Sequence, residues 1–194
     1  FENVSKERIL ELAIEAERTI FENTSGADCT VCTYGGIIEY GKKQGFKKIE
    51  DEPNFQLVIA NSNMEHSTES MVSGVKTFVI KNKEEFSKLL NQESKLVEEV
   101  LKLLKENNSE ELGEKINQNQ EYLEAIGISN NQLKKMVAIG QKTSFGAKIT
   151  GSGGGGCIFA LTNKSNVEQT LKEFKDKNFE CFSAEIDFKG LDTF

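Results

Sequence analysis

The chain has 194 residues, 37% of them hydrophobic and 28% charged, with a formal net charge of −7. That excess of acid excludes a general nucleic-acid binder, which needs a basic footprint. No apolar run approaches the ~20 residues of a membrane span, and no signal-peptide pattern opens the chain. The length fits one domain, or one domain and part of another. Phe1 is not an initiator methionine, so the expectation is a fragment or processed piece of something longer.

Residues 5–22 predict a helix capped by Ser5, with Ile9, Leu10, Ala13, Ile14, Ile20 and Phe21 recurring at helical spacing. Glu17 falls inside that apolar stripe, while Glu11, Glu15, Arg18 and Glu22 fall outside it. A carboxylate on a buried face is costly unless donors or a cation satisfy it. Alone, such a Glu is most simply a stripe-edge residue; Asp28, eleven positions later (28 − 17), shifts the reading towards a functional pair.

Asp28 lies in Thr24-Ser25-Gly26-Ala27-Asp28-Cys29-Thr30-Val31-Cys32-Thr33-Tyr34-Gly35-Gly36. Small residues before it and a β-branched run after it predict a carboxylate at the mouth of a strand over Val31 to Tyr40. Gly35-Gly36 then reads as a bulge or a close backbone approach. Cys29-x-x-Cys32 has the spacing of a metal or redox pair, but no second such pair completes a zinc site. The four cysteines, including Cys157 and Cys181 in apolar runs, read as reduced thiols of a cytoplasmic protein.

A polar connection with the sole proline, Pro53, suggests a domain boundary. Phe55 to Ala60 predicts a buried strand. Helices are expected over Met64 to Ile80, Glu84 to Lys105, Ser109 to about Ile126 with Gly127 as the stop, and Asn130 to Lys142. Ala147 to Thr162 reads as strand, glycine loop, strand; a helix near 165–177 and a strand near 179–188 complete the chain. Strands and helices mix without a constant βαβ period, which predicts an α+β fold with three or four strands on a helical layer.

Gly151-Ser152-Gly153-Gly154-Gly155-Gly156 formally matches G-x-G-x-x-G. A dinucleotide site needs a helix to begin at that loop, and Cys157 to Leu161 reads as a strand. No Walker A sequence occurs in the chain either. So many consecutive glycines point to close approach of the backbone to phosphates or to another segment.

Taken together these residues resemble the GHMP kinase superfamily, in the form of its mevalonate kinases. The resemblance rests on Lys148 to Cys157, on Ser25-Gly26-Ala27-Asp28 with Cys32 to Gly36, and on Asn117-Gln118-Asn119-Gln120 with Tyr122-Leu123 and Ala125-Ile126-Gly127. Asn61-Ser62-Asn63 leading to Ser67-Thr68 adds to it. It implies the end of a ribosomal protein S5 domain 2-like domain over 1–53, then a C-terminal GHMP kinase α+β domain over 54–194. It implies transfer of the ATP γ-phosphoryl group to the 5-hydroxyl of mevalonate, with ATP and Mg²⁺ as cofactors. Asp28 matches the carboxylate that handles the acceptor hydroxyl, and Glu17 the acidic Mg²⁺ ligand. Thr68 and His66 match substrate-binding positions; Gly151, Ser152, Gly153, Gly154 and Gly155 match the loop bordering the nucleotide. Hard oxygen ligands suit Mg²⁺, and phosphoryl transfer needs metal, positioning and a residue on the nucleophile.

The chain departs from the pattern at three positions: His66 stands where an arginine is common, Ser152 replaces an alanine, and Cys29 an asparagine. The superfamily's N-terminal lysine motif and serine-rich phosphate loop do not occur in the sequence. The resemblance places them in a missing N-terminal half, in cis or on a separate chain, without which this chain is expected to be inactive. A homodimer is compatible with it; a nucleic-acid or membrane partner is not expected. Phosphomevalonate kinase, another small-molecule GHMP kinase, and a non-catalytic subunit of a split kinase stay open as alternatives.

Overall fold

The computed structural model describes residues 4–192 apart from Asn23, Lys42 and His66. The chain divides into two compact units, Pro53–Glu185 and a smaller one made of Phe1–Glu52 with Ile186–Phe194. No described helix is long and apolar enough to cross a membrane.

The smaller unit contains α1 (Lys6–Arg18), α2 (Ala27–Tyr34), and a hairpin of β1 (Ile37–Gly41) and β2 (Gly45–Ile49). Ser5 caps α1, its hydroxyl accepting from the Arg8 amide at 3.3 Å. The helix stops four residues before the expected end, where Thr19 turns back through its hydroxyl onto the Ala16 carbonyl at 2.7 Å. Ile20 and Phe21, expected on the buried stripe, are therefore exposed, whereas Ile9, Leu10, Ala13, Ile14 and Glu17 are half-buried.

The expected strand over Val31 to Tyr40 is a correction. Ala27–Tyr34 is helical, and only Ile37–Gly41 is extended. Inside that helix the Thr30 and Thr33 hydroxyls are satisfied locally, bonding back onto the Gly26 and Cys29 carbonyls, both at 2.7 Å. Gly35, at φ +67°, ends the helix, so the pair is a C-cap and not a bulge; the close backbone approach does hold, since a side chain on Gly35 would run into the Gly190 nitrogen. The polar connection also hides β2. It pairs antiparallel with β1, placing Lys47 opposite Glu39, and Phe46 lies against Tyr34 with ring centroids 4.5 Å apart.

The larger unit runs β3 (Gln56–Asn61), α3 (Thr68–Lys81), α4 (Lys83–Glu106), α5 (Ser109–Ala125), α6 (Asn131–Thr143), β4 (Gly146–Ile149), β5 (Cys157–Thr162), α7 (Val167–Lys175) and β6 (Glu180–Ala184). The four strands form one antiparallel sheet in the order β4-β5-β3-β6, giving the α+β architecture. Val58, Ala60, Ala147, Ile149, Ile158 and Ala160 share one face of it. They pack against Leu133, Met136 and Val137 of α6 and Val167, Leu171 and Phe174 of α7, forming the core. Small side chains at Ala60, Ala147 and Ala160 let those helices sit close to the sheet.

Among the described residues β4 has a strand on one side only. On the other, α5 supplies amide side chains: Asn117 Oδ1 accepts from the Ala147 amide and Gln120 Oε1 from the Ile149 amide, each at 2.9 Å. Residues one helical turn apart thus reach alternate amides of the strand edge, the geometry that three- and two-residue periods allow. This accounts for the Asn117 to Gln120 pattern and closes an edge that would otherwise be open. Gln120 is only 2% exposed. Gln120→Leu leaves the buried Ile149 amide without an acceptor and is expected to cost about 1–3 kcal/mol, measurable by denaturant unfolding of the chain.

Candidate functional site

In the smaller unit, Glu17 occupies the last turn of α1 and Asp28 the first turn of α2. The connection between them is built around Thr24. Its hydroxyl donates to Glu17 Oε2 at 2.5 Å and accepts from the Gly26 amide at 3.2 Å. The Ser25 hydroxyl accepts from the Ala27 amide at 3.2 Å, and the Tyr40 hydroxyl donates to the Ser25 carbonyl. Gly26 adopts φ +80°, and a side chain there would crowd Ile14 of α1. The Glu17 carboxylate is thereby anchored to the tight turn from which the helix bearing Asp28 starts. Sequence reasoning overlooked Thr24; a threonine between two acidic helices, two residues before a glycine, is its only signal.

The Cys29 thiol donates to Glu17 Oε2 at 3.5 Å. Burial first, then the Glu17 hydrogen bond and the charges of Glu17, Asp28 and Cys32, push this thiol above its usual range. Glu17 and Asp28 therefore both act on one sulfur, while Asp28 itself is exposed and Glu17 half-buried. All four cysteines are free, and Cys32 is exposed. Because the thiolate is the nucleophile, Cys32 is expected to alkylate well before Cys29 at neutral pH. Glu17→Gln removes a charge that holds the Cys29 proton, so it should accelerate Cys29 alkylation; peptide mass mapping over a time course with iodoacetamide reads both effects.

Glu17 and Asp28 suit a hard divalent cation, being oxygen donors of which one is anchored by Thr24. Among the described residues no group of three or more His, Cys, Asp or Glu side chains gathers as a metal site. A magnesium ion taken up by Glu17 would draw most of its ligands from nucleotide phosphates and water, as this ion commonly does.

In the larger unit, the glycine loop joins β4 to β5. Gly151, Gly153, Gly154 and Gly156 all have φ between +71° and +77°. Both open readings of the loop involved close approach, and the neighbour present is protein. A side chain on Gly153 would collide with the Ile128 carbonyl, and one on Gly154 would lie 2.5 Å from Met71 Sδ. The Gly154 amide donates to Ile128 O at 2.8 Å, and the Asn130 side-chain amide to Gly154 O at 2.9 Å. Asn130 also caps α6, accepting from the Leu133 amide at 2.9 Å. At its far end the loop is closed by the Ser62 amide on Gly156 O at 2.9 Å. Ile128 and Asn130 were not legible as loop partners.

Ser67 caps α3, accepting from the Ser70 amide at 3.2 Å, and Thr68 is the first helical residue. The Thr68 and Ser152 hydroxyls lie 3.3 Å apart, so the helix start and the glycine loop meet through two hydroxyls. Thr68 is exposed, Ser152 half-buried and Gly155 buried. His66 lies outside the described residues. Thus Glu17 and Asp28 come together in one unit, and Thr68, Ser152 and the loop glycines in the other.

Residues 100–181 match the family described as GHMP kinases C terminal. The chain carries a GHMP kinase C-terminal domain. That match takes in the glycine loop and its partners Ile128 and Asn130. Relatives extend the likeness across almost all of the chain. The human protein named mevalonate kinase is 30% identical over 95% of this chain, and the Methanocaldococcus jannaschii one 31% over 93%. Those alignments take in 49% and 57% of the two relatives. The chain thus spans about half the length of the curated relatives it matches. Among solved structures, that of L. major mevalonate kinase in complex with R-mevalonate superposes with a TM-score of 0.88 at 25% identity, covering 95% of this chain and 60% of that one.

Proposed function

We propose that this GHMP kinase chain is the C-terminal portion of a mevalonate kinase, transferring the ATP γ-phosphoryl group to the 5-hydroxyl of mevalonate. The observation that carries the reading is the Glu17-Thr24-Gly26 linkage, which anchors one carboxylate and fixes the turn that starts the helix bearing another. Likeness to mevalonate kinases over almost the whole chain supports the same chemistry.

Magnesium, held by Glu17 together with nucleotide phosphates, would neutralise charge on the phosphoryl group being transferred. Asp28 accepts the hydrogen bond of the acceptor hydroxyl and takes its proton as the oxygen attacks phosphorus. Its place in the first turn of α2 puts it directly after the turn built on Thr24 and Gly26. Thr68 contributes a hydroxyl to substrate or phosphate, and His66 is the other substrate-binding position that the resemblance implies. Gly151 to Gly155 and Ser152 support the nucleotide side, with the loop held rigid by Ile128 and Asn130.

In this reading residues 1–53 close a ribosomal protein S5 domain 2-like domain, and the lysine and phosphate-loop motifs come from an N-terminal half. The smaller unit is consistent with that, since Ile49 is its one buried hydrophobic side chain among the described residues. The completed enzyme is this chain joined to such a half. Glu17→Gln in the completed enzyme is expected to raise the magnesium concentration needed for half-maximal turnover at least tenfold, a loss of ~1.4 kcal/mol in metal affinity. An unchanged magnesium titration would refute the ligand role. Presenting mevalonate, phosphomevalonate and homoserine side by side tests the acceptor, with mevalonate expected to be phosphorylated fastest.

A further inference from the structure

The eight residues of α2 make barely two turns, and they include Thr30, Val31, Thr33 and two cysteines. Neither length nor propensity keeps such a helix folded. Its N-cap, Gly26, has no side chain to offer, so the burden falls on the other end. There the Gly35 amide donates to Val31 O at 2.8 Å, the Leu191 amide to Thr33 O at 3.1 Å, and Lys48 Nζ to Tyr34 O at 2.9 Å. Two of these three donors come from outside the helix: one from β2, the other from the last residues of the chain.

The returning tail is itself gripped along its length. Lys48 Nζ donates to Phe188 O at 2.7 Å, Lys6 Nζ to Lys189 O at 2.8 Å, and the Gly36 amide to Asp187 O at 2.7 Å. The Lys189 amide turns onto Asp187 Oδ1 at 2.9 Å. Gly35 and Gly190, both at φ +67°, meet backbone to backbone; a side chain on Gly190 would lie 2.5 Å from the Gly35 nitrogen. The Lys48 ammonium also brings positive charge to the negative end of the helix, where it is favourable.

We infer that Lys48 and residues 187–191 form a cap, supplied from the far end of the chain, that holds α2 in place and makes Lys48 a positioning residue for Asp28. The catalytic half of this inference rests on the proposed role of Asp28; the structural half does not. Lys48 touches neither Asp28 nor any reacting group; it acts through the helix between them.

The test is amide hydrogen exchange on the 194-residue chain, paired with kinetics of the completed enzyme. Lys48→Met, Gly190→Ala and a chain ending at Glu185 are each expected to speed exchange across Thr30 to Gly36 by roughly tenfold or more. Exchange in β3 and β5 should stay unchanged, which separates loss of the cap from global unfolding. Lys48→Arg, which keeps a cation and several donors, should restore most of the protection. In the completed enzyme Lys48→Met should lower kcat with the KM for ATP unchanged, and Lys48→Arg should recover kcat. Unchanged exchange in α2 for Lys48→Met and for the shortened chain would overturn the cap. Loosened exchange with full kcat, while Asp28→Ala is inactive, would overturn the positioning role. Full turnover in Asp28→Ala would instead sink the catalytic reading and leave the cap standing.

Discussion

Asp28→Ala in the completed enzyme is expected to reduce turnover with ATP and mevalonate by roughly 10²–10⁴-fold, the usual contribution of a positioned general base. The fold should survive. Asp28 is exposed, and Thr24, Ser25 and Tyr40 build the turn before it without using its side chain. Its one structural contribution is a favourable charge at the start of α2, worth about 0.3–1 kcal/mol. A large loss of kcat beside a nearly unchanged unfolding midpoint therefore separates chemistry from stability. Turnover within a few-fold of the unmodified enzyme would remove Asp28 from the mechanism.

Gly153→Ala has the largest expected effect on stability. The position combines φ +77° with a neighbour that cannot give way. An added methyl group would lie 2.9 Å from the Ile128 Cβ and run into the Ile128 carbonyl, which already accepts from the Gly154 amide. A left-handed alanine costs about 1–2 kcal/mol and forced overpacking about 1–3 more, so the expected loss is about 2–5 kcal/mol. Gly151→Ala provides the comparison, because its φ is +71° but nothing lies within 4 Å of the added carbon. Only the conformational part should be lost there. Equal losses for the two variants in denaturant unfolding would mean that close approach is not why the loop is glycine-rich.

Helical periodicity over Glu84 to Lys105 and Ser109 to Ile126, and glycine punctuation at Gly127 and Gly151 to Gly156, made most of the larger unit legible in the sequence. These elements bury regular apolar faces, and their local signals agree with their packing. The smaller unit was harder to read because its local preferences are overruled. Thr30, Val31 and Thr33 favour a strand, yet form α2 because Lys48 and Leu191 satisfy its end from distant positions. The same distance hid β2, whose Lys48 does its work on carbonyls outside the hairpin. Asp28 and Glu17 stood out as residue types, but their link through Thr24 depends on where α1 stops. That stop is set by Thr19 and not by the apolar stripe. Asn130 likewise showed only as the start of a helix, while its capping of α6 and its bond to Gly154 needed the tertiary structure.

The central claim is that this chain supplies the acceptor-handling carboxylate of a mevalonate kinase and needs an N-terminal half to turn over. Phosphorus NMR of ATP and mevalonate with magnesium, incubated with the chain alone and with the chain joined behind the first half of the Methanocaldococcus jannaschii relative, tests it most directly. The expected result is no phosphomevalonate from the chain alone, phosphomevalonate from the joined protein, and formation slowed by roughly 10²-fold or more when Asp28 in it is alanine. Phosphomevalonate formed by the chain alone, or by the joined protein with Asp28→Ala at close to the full rate, would contradict the account.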